Sequence, residues 1–369
     1  MVLRITDIRI RHFALPLDPP FRAAWDHQLR TQFSTTLVEV HTNEGLVGYG
    51  SGDSMIGFEQ FKHLFIEQEV GNIERHSNVL ATLAFHYARY WPLEIALWDV
   101  LGKAANLPLF RLLGGHSNYV PAYCSTGELH SPAQRVEEVL RFREQGFRAV
   151  KIRMRHDDFR RDLEVVSAVR EAVGDTMEIM VDTNQAWRMP GDTRRPWEMK
   201  HALAVACELE KHDIYWLEEP LDHVDFTGLT ELRRATPLRI AVGELNRSLA
   251  DFREYALRGC ADILQPDIVL CGGFNYGLKV AHLCQEFGLL FSPHTWGNGI
   301  GLIANLHLAA ATGICPFVEY PLDPPNWTVE RRDFILAQPI QVSRKGNLEL
   351  SEKPGLGIEL REDLDQFEE

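Results

Sequence analysis

Three short apolar runs in the middle of the chain each end on an acidic residue. The runs are Glu178–Asp182, Tyr215–Glu218 and Ile240–Glu244, and each has the pattern of a buried strand with a carboxylate at its carboxyl end. The last acids are 36 residues (182 to 218) and 26 residues (218 to 244) apart, which leaves room for one strand, one helix and two loops. This spacing predicts successive parallel strands whose final carboxylates face one cavity.

Converging carboxylates repel one another unless a cation lies between them. Any one of these acids alone fits a helix N-cap or a surface charge equally well. Three acids at the same position, each at the end of a predicted strand, favour a shared site. We therefore predict that Asp182, Glu218 and Glu244 bind a hard divalent ion, with Mg²⁺ favoured because it prefers oxygen ligands and accepts few carboxylates. Glu219 is expected to point outward from its strand and to matter less.

The remaining patterns predict an α/β protein with a smaller α+β domain in front of a barrel. Residues 1–115 begin with alternating, strand-like segments and continue with helical spacing. Residues 116–322 alternate strand and helix patterns, which is typical of a barrel with its catalytic groups at the carboxyl ends of the strands. Residues 323–369 alternate again, and we expect this tail to pack back on the first domain. The eight strand candidates of the barrel are Tyr119–Cys124, Ala149–Met154, Ile179–Asp182, Ile214–Glu218, Ile240–Glu244, Ile263–Asp267, Leu289–His294 and Phe317–Glu319.

Charge and composition narrow the possible partners. The net charge of −14 argues against nucleic acid and anionic membranes, because both require a cationic surface. No stretch approaches the roughly 20 apolar residues of a membrane span, and the first residues lack the apolar core of a signal peptide. The six cysteines are scattered without a CxxC pair, as expected of reduced thiols. We therefore expect a cytoplasmic protein that acts on a small molecule.

Two cations precede the first acid of the cluster. Lys151 and Arg153 are two residues apart on one predicted strand and therefore share a face with the carboxylates. They can balance the acids without any chemistry, or Lys151 can steady a substrate carboxylate or enolate. Arg153 is a poor proton acceptor because its guanidinium stays protonated.

A histidine and two further acids end the last three predicted strands. Asp267 and His294 end neighbouring strands, so the carboxylate can orient the imidazole and raise its pKa, which makes His294 a candidate general base near neutral pH. Glu319 ends the eighth strand. It can hydrogen-bond a developing enolate oxygen if it keeps its proton.

The ordered motifs resemble the enolase superfamily and, within it, the mandelate racemase subgroup. They are Lys151-Ile-Arg153, Val181-Asp182-Thr-Asn184, Trp216-Leu-Glu218-Glu219-Pro220, Gly243-Glu244, Gln265-Pro-Asp267, Pro293-His294-Thr-Trp-Gly and Glu319. The resemblance implies a modified TIM barrel, (β/α)₇β, with an N-terminal capping domain. It also implies a Mg²⁺ enzyme that removes the proton α to a carboxylate, with Asp182, Glu218 and Glu244 as ligands and Asp267 and His294 as a dyad. We expect a homo-oligomer.

One departure from the racemase pattern bears on the reaction. That pattern has a second lysine, the opposing base, where this chain has Arg153. A racemase needs a proton acceptor on each face of the α-carbon, whereas a dehydratase can work with His294 alone. The sequence therefore favours a lyase that converts a sugar acid into a 2-keto-3-deoxy acid. A racemase, an epimerase or a sugar-lactone cycloisomerase stays open, and a non-catalytic metal-binding barrel is disfavoured because it needs no base.

Specificity is expected from loops of the capping domain. The segments 21–27 and 52–57 lie where the substrate-covering loops of the resembled family lie. Arg22, Trp25 and His27 are candidates for contacting hydroxyls or a distal carboxylate, and ordinary loop packing explains them equally well. Asn184, in the motif of Asp182, is a further candidate for substrate binding.

Overall fold

The computed structural model describes residues 2–52, 54–115 and 117–369. Its N-terminal part is an antiparallel three-stranded sheet in the order β1-β2-β3, followed by helices, as the sequence predicts. Ile5, Ile8 and Phe13 of β1 are buried in the interior. The elements of this part are β1 (Ile5–Phe21), β2 (Arg30–Thr42), β3 (Val47–Ser51), α1 (Ile73–His86), α2 (Pro92–Ala105) and α3 (Leu109–Leu112).

The second part is a curled parallel sheet surrounded by helices, which confirms the predicted barrel. All eight predicted strands are present, and hydrogen bonding follows the order β10-β9-β8-β7-β6-β5-β4-β11. The two ends of this path are joined by Ser292, whose Oγ donates to Phe317 O at 2.7 Å. The strands are β4 (Tyr119–Ser125), β5 (Ala149–Arg153), β6 (Glu178–Asp182), β7 (Ile214–Glu218), β8 (Ile240–Val242), β9 (Ile263–Leu264), β10 (Leu290–Phe291) and β11 (Val318–Pro321).

Four of these strands end earlier than the sequence predicts, β5 by one residue and β8, β9 and β10 by two or three. Glu244, Asp267 and His294 follow β8, β9 and β10 in loops and do not lie within the strands. Gly243, with φ of +122°, leaves the extended conformation after β8. Pro266 and Pro293 lack the N–H that a further ladder bond would require. The functional residues therefore lie just past the strand ends, where the chain turns toward the next helix.

Helices cover the outside of the barrel, and a layer of side chains fills its inside. The helices are α4 (Pro132–Gln145), α5 (Phe159–Val173), α6 (Met199–Leu209), α7 (Phe226–Ala235), α8 (Leu249–Arg258), α9 (Ile268–Cys271), α10 (Gly273–Phe287), α11 (Gly299–Thr312) and α12 (Val329–Arg332). Tyr123, Met180 and Trp216 point inward and form a buried apolar cluster. No described helix combines the length and apolarity needed to cross a bilayer.

The C-terminal tail contacts both parts of the molecule. Its short strand β12 (Asn347–Glu349) pairs antiparallel with β4 of the barrel. Further on, Leu356 N–H donates to Asp99 Oδ1 at 2.7 Å. Glu368 forms an ion pair with Arg11 at 2.6 Å. The tail therefore contacts the first domain at these two places, and the division of the chain at 115 and 322 stays a proposal about domain organisation.

A buried carboxylate connects the first domain to the barrel. Glu94 of α2 is fully buried and accepts hydrogen bonds from the backbone N–H groups of Phe274 (2.8 Å) and Asn275 (3.0 Å) at the start of α10. Those N–H groups have no partner within their own helix, so the acid of one domain caps a helix of the other.

Candidate active site

The three predicted metal ligands meet at the carboxyl ends of the strands. Asp182 and Glu218 end β6 and β7, and Glu244 follows β8. All three side chains are buried, and one carboxylate oxygen from each lies within 4.8 Å of the others. Parallel neighbours in register bring these acids together, because Asp182 pairs directly with Glu218 in the β6–β7 ladder.

Lys151 lies among the acids and balances part of their charge. Its Nζ is 2.5 Å from Glu218 Oε1, 2.9 Å from Glu319 Oε1 and 3.3 Å from Asp182 Oδ2. Burial alone would lower the pKa of Lys151, but the surrounding carboxylates raise it well above its usual range. Lys151 is therefore protonated among these side chains, which suits a group that stabilises negative charge.

The carboxylates differ in how strongly they hold a proton. Burial raises the pKa of Glu218 to about 8 even though Lys151 opposes the effect. Burial also raises the pKa of Glu244. The pKa of Asp182 is lowered instead, because Arg153 and Lys151 outweigh its burial. An additional cation would stabilise a cluster of this kind, because it would keep all three acids ionised.

Arg153 is held in place on all sides. Its guanidinium forms an ion pair with Asp182, and its Nη1 also donates to Asn184 Oδ1 at 3.2 Å. The guanidinium carbon lies 4.5 Å from the ring centroid of Trp25 and 5.2 Å from that of Trp296. Such cation–π contacts and the ion pair keep Arg153 charged, as expected from the sequence.

His294 and Asp267 form the predicted dyad. The distance from His294 Nδ1 to Asp267 Oδ2 is 3.0 Å, and the other ring nitrogen, Nε2, lies 3.5 Å from Glu244 Oε2. Asn305 of α11 donates from Nδ2 to Asp267 Oδ1 at 2.9 Å and so fixes the carboxylate. Because a carboxylate orients it through Nδ1, the imidazole presents Nε2 to the acid cluster.

The charge of His294 differs from the sequence-based expectation. Burial would lower its pKa, but the carboxylates of Glu244, Glu319 and Asp267 raise it to about 10. The protein side chains alone therefore favour the imidazolium near neutral pH. A neutral proton acceptor requires further positive charge among these acids.

The cations around Glu319 oppose the expectation that this residue keeps a proton. Burial would raise its pKa, but Lys151, His294 and Arg153 lower it to about 2. It accepts hydrogen bonds from Ser125 Oγ at 2.6 Å and from Thr295 N–H at 2.8 Å. Of Lys151 and Glu319, Lys151 is therefore the residue that can donate a hydrogen bond to a developing enolate.

Several side chains that sequence reasoning missed orient the acids. Trp216 Nε1 and Gln265 Nε2 each donate to Glu218 Oε2 at 2.9 Å, and Trp187 Nε1 donates to Glu244 Oε1 at 2.7 Å. The sequence carries a signal for Trp216, which lies two residues before Glu218 on the same face of β7. Trp187 lies in a long loop, and nothing in its spacing indicates that contact.

Glu219 does not point outward, which corrects the expectation from strand alternation. β7 ends at Glu218, and Glu219 turns inward with φ of +48°, a conformation that is uncommon for residues other than glycine. Its side chain is 1% exposed, and burial together with Glu244 raises its pKa well above the usual range. Asn184, with φ of +44°, has the same uncommon backbone conformation after β6.

The three candidate residues of the capping loop lie in different places. Trp25 is buried against Arg153 and therefore lies over the cluster. Arg22 is exposed and lines a different cavity of about 410 Å³ together with Glu128 and His130. His27 is exposed beside Gly191, and among the described residues no contact joins Arg22 or His27 to the three acids. In the second predicted loop, 52–57, Asp53 lies outside the described residues.

Protein-family models and relatives agree with this geometry. Residues 5–114 match the N-terminal domain of the mandelate racemase / muconate lactonizing enzyme family, and residues 134–364 match the enolase C-terminal domain-like family. An L-talarate/galactarate dehydratase of Salmonella typhimurium is 33% identical over 73% of this chain and 63% of its own length. An arabinonate dehydratase of Saccharolobus solfataricus is 30% identical over 90% of this chain and 89% of its own length. A D-galactarolactone cycloisomerase of Agrobacterium fabrum is 28% identical over 98% of this chain and 97% of its own length.

Solved structures with the same fold include enzymes with bound magnesium. A racemase from Streptomyces coelicolor with bound magnesium superposes with a TM-score of 0.85 at 26% identity, covering 99% of this chain and 100% of that one. An L-talarate dehydratase from Polaromonas, in complex with Mg and L-glucarate, has a TM-score of 0.85 at 27% identity, covering 100% and 98%. The relatives thus include dehydratases, a cycloisomerase and a racemase at similar identity. From the matched domains, the barrel and its carboxylate cluster, we conclude that the chain is an enzyme of the enolase superfamily and belongs to its mandelate racemase subgroup.

Proposed function

We propose that the protein is a Mg²⁺-dependent acid-sugar dehydratase. In this proposal it removes the proton α to the carboxylate of a sugar acid and eliminates the β-hydroxyl as water. The product is an enol that tautomerises to a 2-keto-3-deoxy acid. Asp182, Glu218 and Glu244 hold the metal, and His294 is the proton acceptor.

The donor set of the cluster supports Mg²⁺ as the cofactor. Three carboxylates supply oxygen ligands, and Glu244 Oε2 is buried without a hydrogen-bond partner among the described residues. Magnesium, when bound, supplies positive charge that stabilises the negative charge developing on the substrate carboxylate. The bound magnesium in solved structures of the same fold adds support.

We prefer a lyase to a racemase because only one of the two groups compared here, His294 and Arg153, can accept a proton. His294 presents Nε2 to the cluster and is oriented by Asp267 at 3.0 Å. At the position of the opposing lysine stands Arg153, whose guanidinium pairs with Asp182 and two indole rings. Because such a guanidinium cannot accept a proton, the arrangement favours one-base chemistry over racemisation.

One group can serve both halves of the elimination. Neutral His294 takes the α-proton, and the resulting imidazolium donates a proton to the leaving β-hydroxyl, which departs as water. The electron pair of the broken C–H bond becomes the new carbon–carbon double bond. Lys151, held protonated between Glu218 and Glu319, is placed to stabilise the enolate charge.

Turnover in D₂O tests this assignment. The Mg²⁺-loaded protein is incubated with a panel of aldonic and aldaric acids and their lactones, and the mixtures are followed by nuclear magnetic resonance. We expect a keto acid with deuterium at C3 and no substrate epimerised at C2. The His294→Asn variant is the matched control and should form almost no product.

Other products would assign the enzyme differently. Accumulation of a C2-deuterated epimer without keto acid would refute the dehydratase and indicate an epimerase. Ring opening of a lactone without conversion of any open-chain acid would identify a cycloisomerase, which the relative from Agrobacterium fabrum makes the second candidate.

A further inference from the structure

Trp187 connects an acid of the carboxylate cluster to the capping domain. It lies in the segment between β6 and α6, and its Nε1 donates to Glu244 Oε1 at 2.7 Å. The same side chain packs against a buried apolar cluster, which we call the capping cluster and which consists of Leu17, Phe21, Ala23, Trp25 and Trp327. Apart from Trp327, these residues belong to β1 or to the loop that follows it. One indole therefore contacts a carboxylate at the barrel mouth and an apolar cluster to which the capping loop contributes.

The hydrogen bond from Trp187 holds one oxygen of Glu244 and leaves the other without a donor. Glu244 is 3% exposed, and within the described residues its Oε2 forms no hydrogen bond. Among those residues, Trp187 is the single hydrogen-bond donor to this side chain. Because a donor on one oxygen holds the plane of a carboxylate, Trp187 determines the orientation in which Glu244 meets an ion.

Glu218 has a more redundant arrangement. Its Oε2 accepts from both Trp216 Nε1 and Gln265 Nε2 at 2.9 Å, and its Oε1 lies 2.5 Å from Lys151 Nζ. Loss of one of these donors leaves Glu218 with the others. Of these two acids, Glu244 is therefore the one whose orientation depends on a single hydrogen bond.

We propose that Trp187 is a positioning residue through which the packing of the capping loop sets the affinity for the metal ion. The inference rests on the proposed function for the role of Glu244 as a metal ligand. The capping cluster holds the indole, and the indole holds the carboxylate. Loosening the cluster therefore weakens metal binding, although none of its residues is among the three acids.

A second route from the capping cluster to the acids has to be separated from this one. Trp25 lies against Arg153, whose guanidinium pairs with Asp182. A change in the cluster can therefore reach the metal site through Asp182 as well as through Glu244. Only the route through Glu244 requires the indole N–H of Trp187.

Three substitutions separate the two routes. Trp187→Phe removes the N–H and keeps an aromatic ring against the capping cluster. Phe21→Leu loosens that cluster, because Phe21 is fully buried with its ring centroid 5.1 Å from that of Trp327. Trp98→Phe is the matched control, since Trp98 Nε1 donates at 2.9 Å to the buried carboxylate of Glu94, which is not one of the three acids.

Metal binding is measured without substrate, so that turnover plays no part. Mn²⁺, which suits the same oxygen ligands as Mg²⁺, is titrated into metal-free protein, and the free ion is counted by electron paramagnetic resonance. We expect one ion per chain, which Mg²⁺ displaces. Trp187→Phe should bind the ion about 10-fold to 100-fold more weakly, the usual cost of losing a group that orients a ligand. Phe21→Leu should weaken binding by about 2-fold or more, the lower end of couplings between residues in contact. Trp98→Phe should bind the ion as the unsubstituted protein does.

The variant that combines Phe21→Leu with Trp187→Phe identifies the route. If the coupling runs through Trp187, Phe21→Leu has no further effect once the indole N–H is absent. An equal loss from Phe21→Leu in both backgrounds would overturn the inference and assign the coupling to Arg153 and Asp182. Unchanged binding in either single variant, a comparable loss in Trp98→Phe, or undiminished affinity in Glu244→Gln would also overturn it.

The failure of the proposed function has a different signature. Metal binding that responds to the variants as expected, without keto acid formation by the unsubstituted protein, would refute the dehydratase and leave the role of Trp187 standing. If the unsubstituted protein bound no Mn²⁺, both the metal assignment and the role of Trp187 would be refuted.

Discussion

Replacing His307 by glutamine is predicted to make the protein less sensitive to acid. His307 is fully buried in α11 and joins the barrel to two other segments. Its Nδ1 accepts from Phe110 N–H at 3.0 Å, and Nε2 lies 3.2 Å from Leu356 O. Protonation of Nδ1 would remove that acceptor and leave a buried charge. Burial accordingly lowers the pKa of His307 to about 4.

The size and direction of the effect follow from this pKa. A histidine in the unfolded chain has a pKa of about 6.5, so the unfolded state binds the proton first as the pH falls. The stability that the neutral imidazole contributes is therefore complete above pH 6.5 and is lost progressively toward pH 4. At about 1.4 kcal/mol per pKa unit, the free energy of unfolding falls by about 2 kcal/mol between pH 7 and pH 5 from this residue alone.

Urea unfolding at pH 7, 6 and 5, followed by tryptophan fluorescence, measures the difference. Glutamine has an acceptor and a donor that can replace both contacts of His307, but it does not titrate. We expect His307→Gln to lose about 2 kcal/mol less than the unsubstituted protein over this range. The two proteins share all other titrating groups, so the contributions of those groups to the pH dependence cancel in the comparison. Parallel pH dependences of the two proteins would refute the argument that His307 is buried in its neutral form.

Three further predictions concern the site. Glu218→Ala should fold, as judged by circular dichroism, but lose activity in Mg²⁺ to the level of the unsubstituted protein in excess EDTA; activity that survives either treatment would contradict the metal assignment. His294→Asn should lower kcat on the order of 10²-fold to 10⁴-fold, as typical for loss of a general base, and near-normal turnover would assign the base elsewhere. Asn305→Ala should lower kcat less than His294→Asn and leave KM unchanged, because Asn305 orients Asp267 without touching the substrate; a change in KM alone would contradict that role.

Sequence reasoning predicted the framework of the site because strand ends are encoded locally. Apolar runs that end on Asp182 and Glu218 placed both acids at neighbouring strand ends. The same periodicity failed at Glu219, where the strand stops one residue earlier and the backbone turns inward. Asn305 could not be predicted either, since its contact with Asp267 depends on how α11 packs across the barrel mouth.

The directions of the side chains in the capping loop could not be predicted from the sequence either. The segment 21–27 was predicted to cover the site, but its side chains diverge, and Trp25 rather than Arg22 faces Arg153. The direction of a loop side chain follows no period, so it cannot be derived from spacing. Likewise, the charge of His294 depends on Glu244 and Glu319, which are distant in sequence and close in space.

The capping of α10 by Glu94 has a consequence for how substrates enter. A hinge movement that separated the two domains would strip the buried carboxylate of its backbone donors and expose the first N–H groups of α10. Such an opening would be costly in every catalytic cycle. We therefore expect the two domains to keep their relative orientation while substrate enters and product leaves.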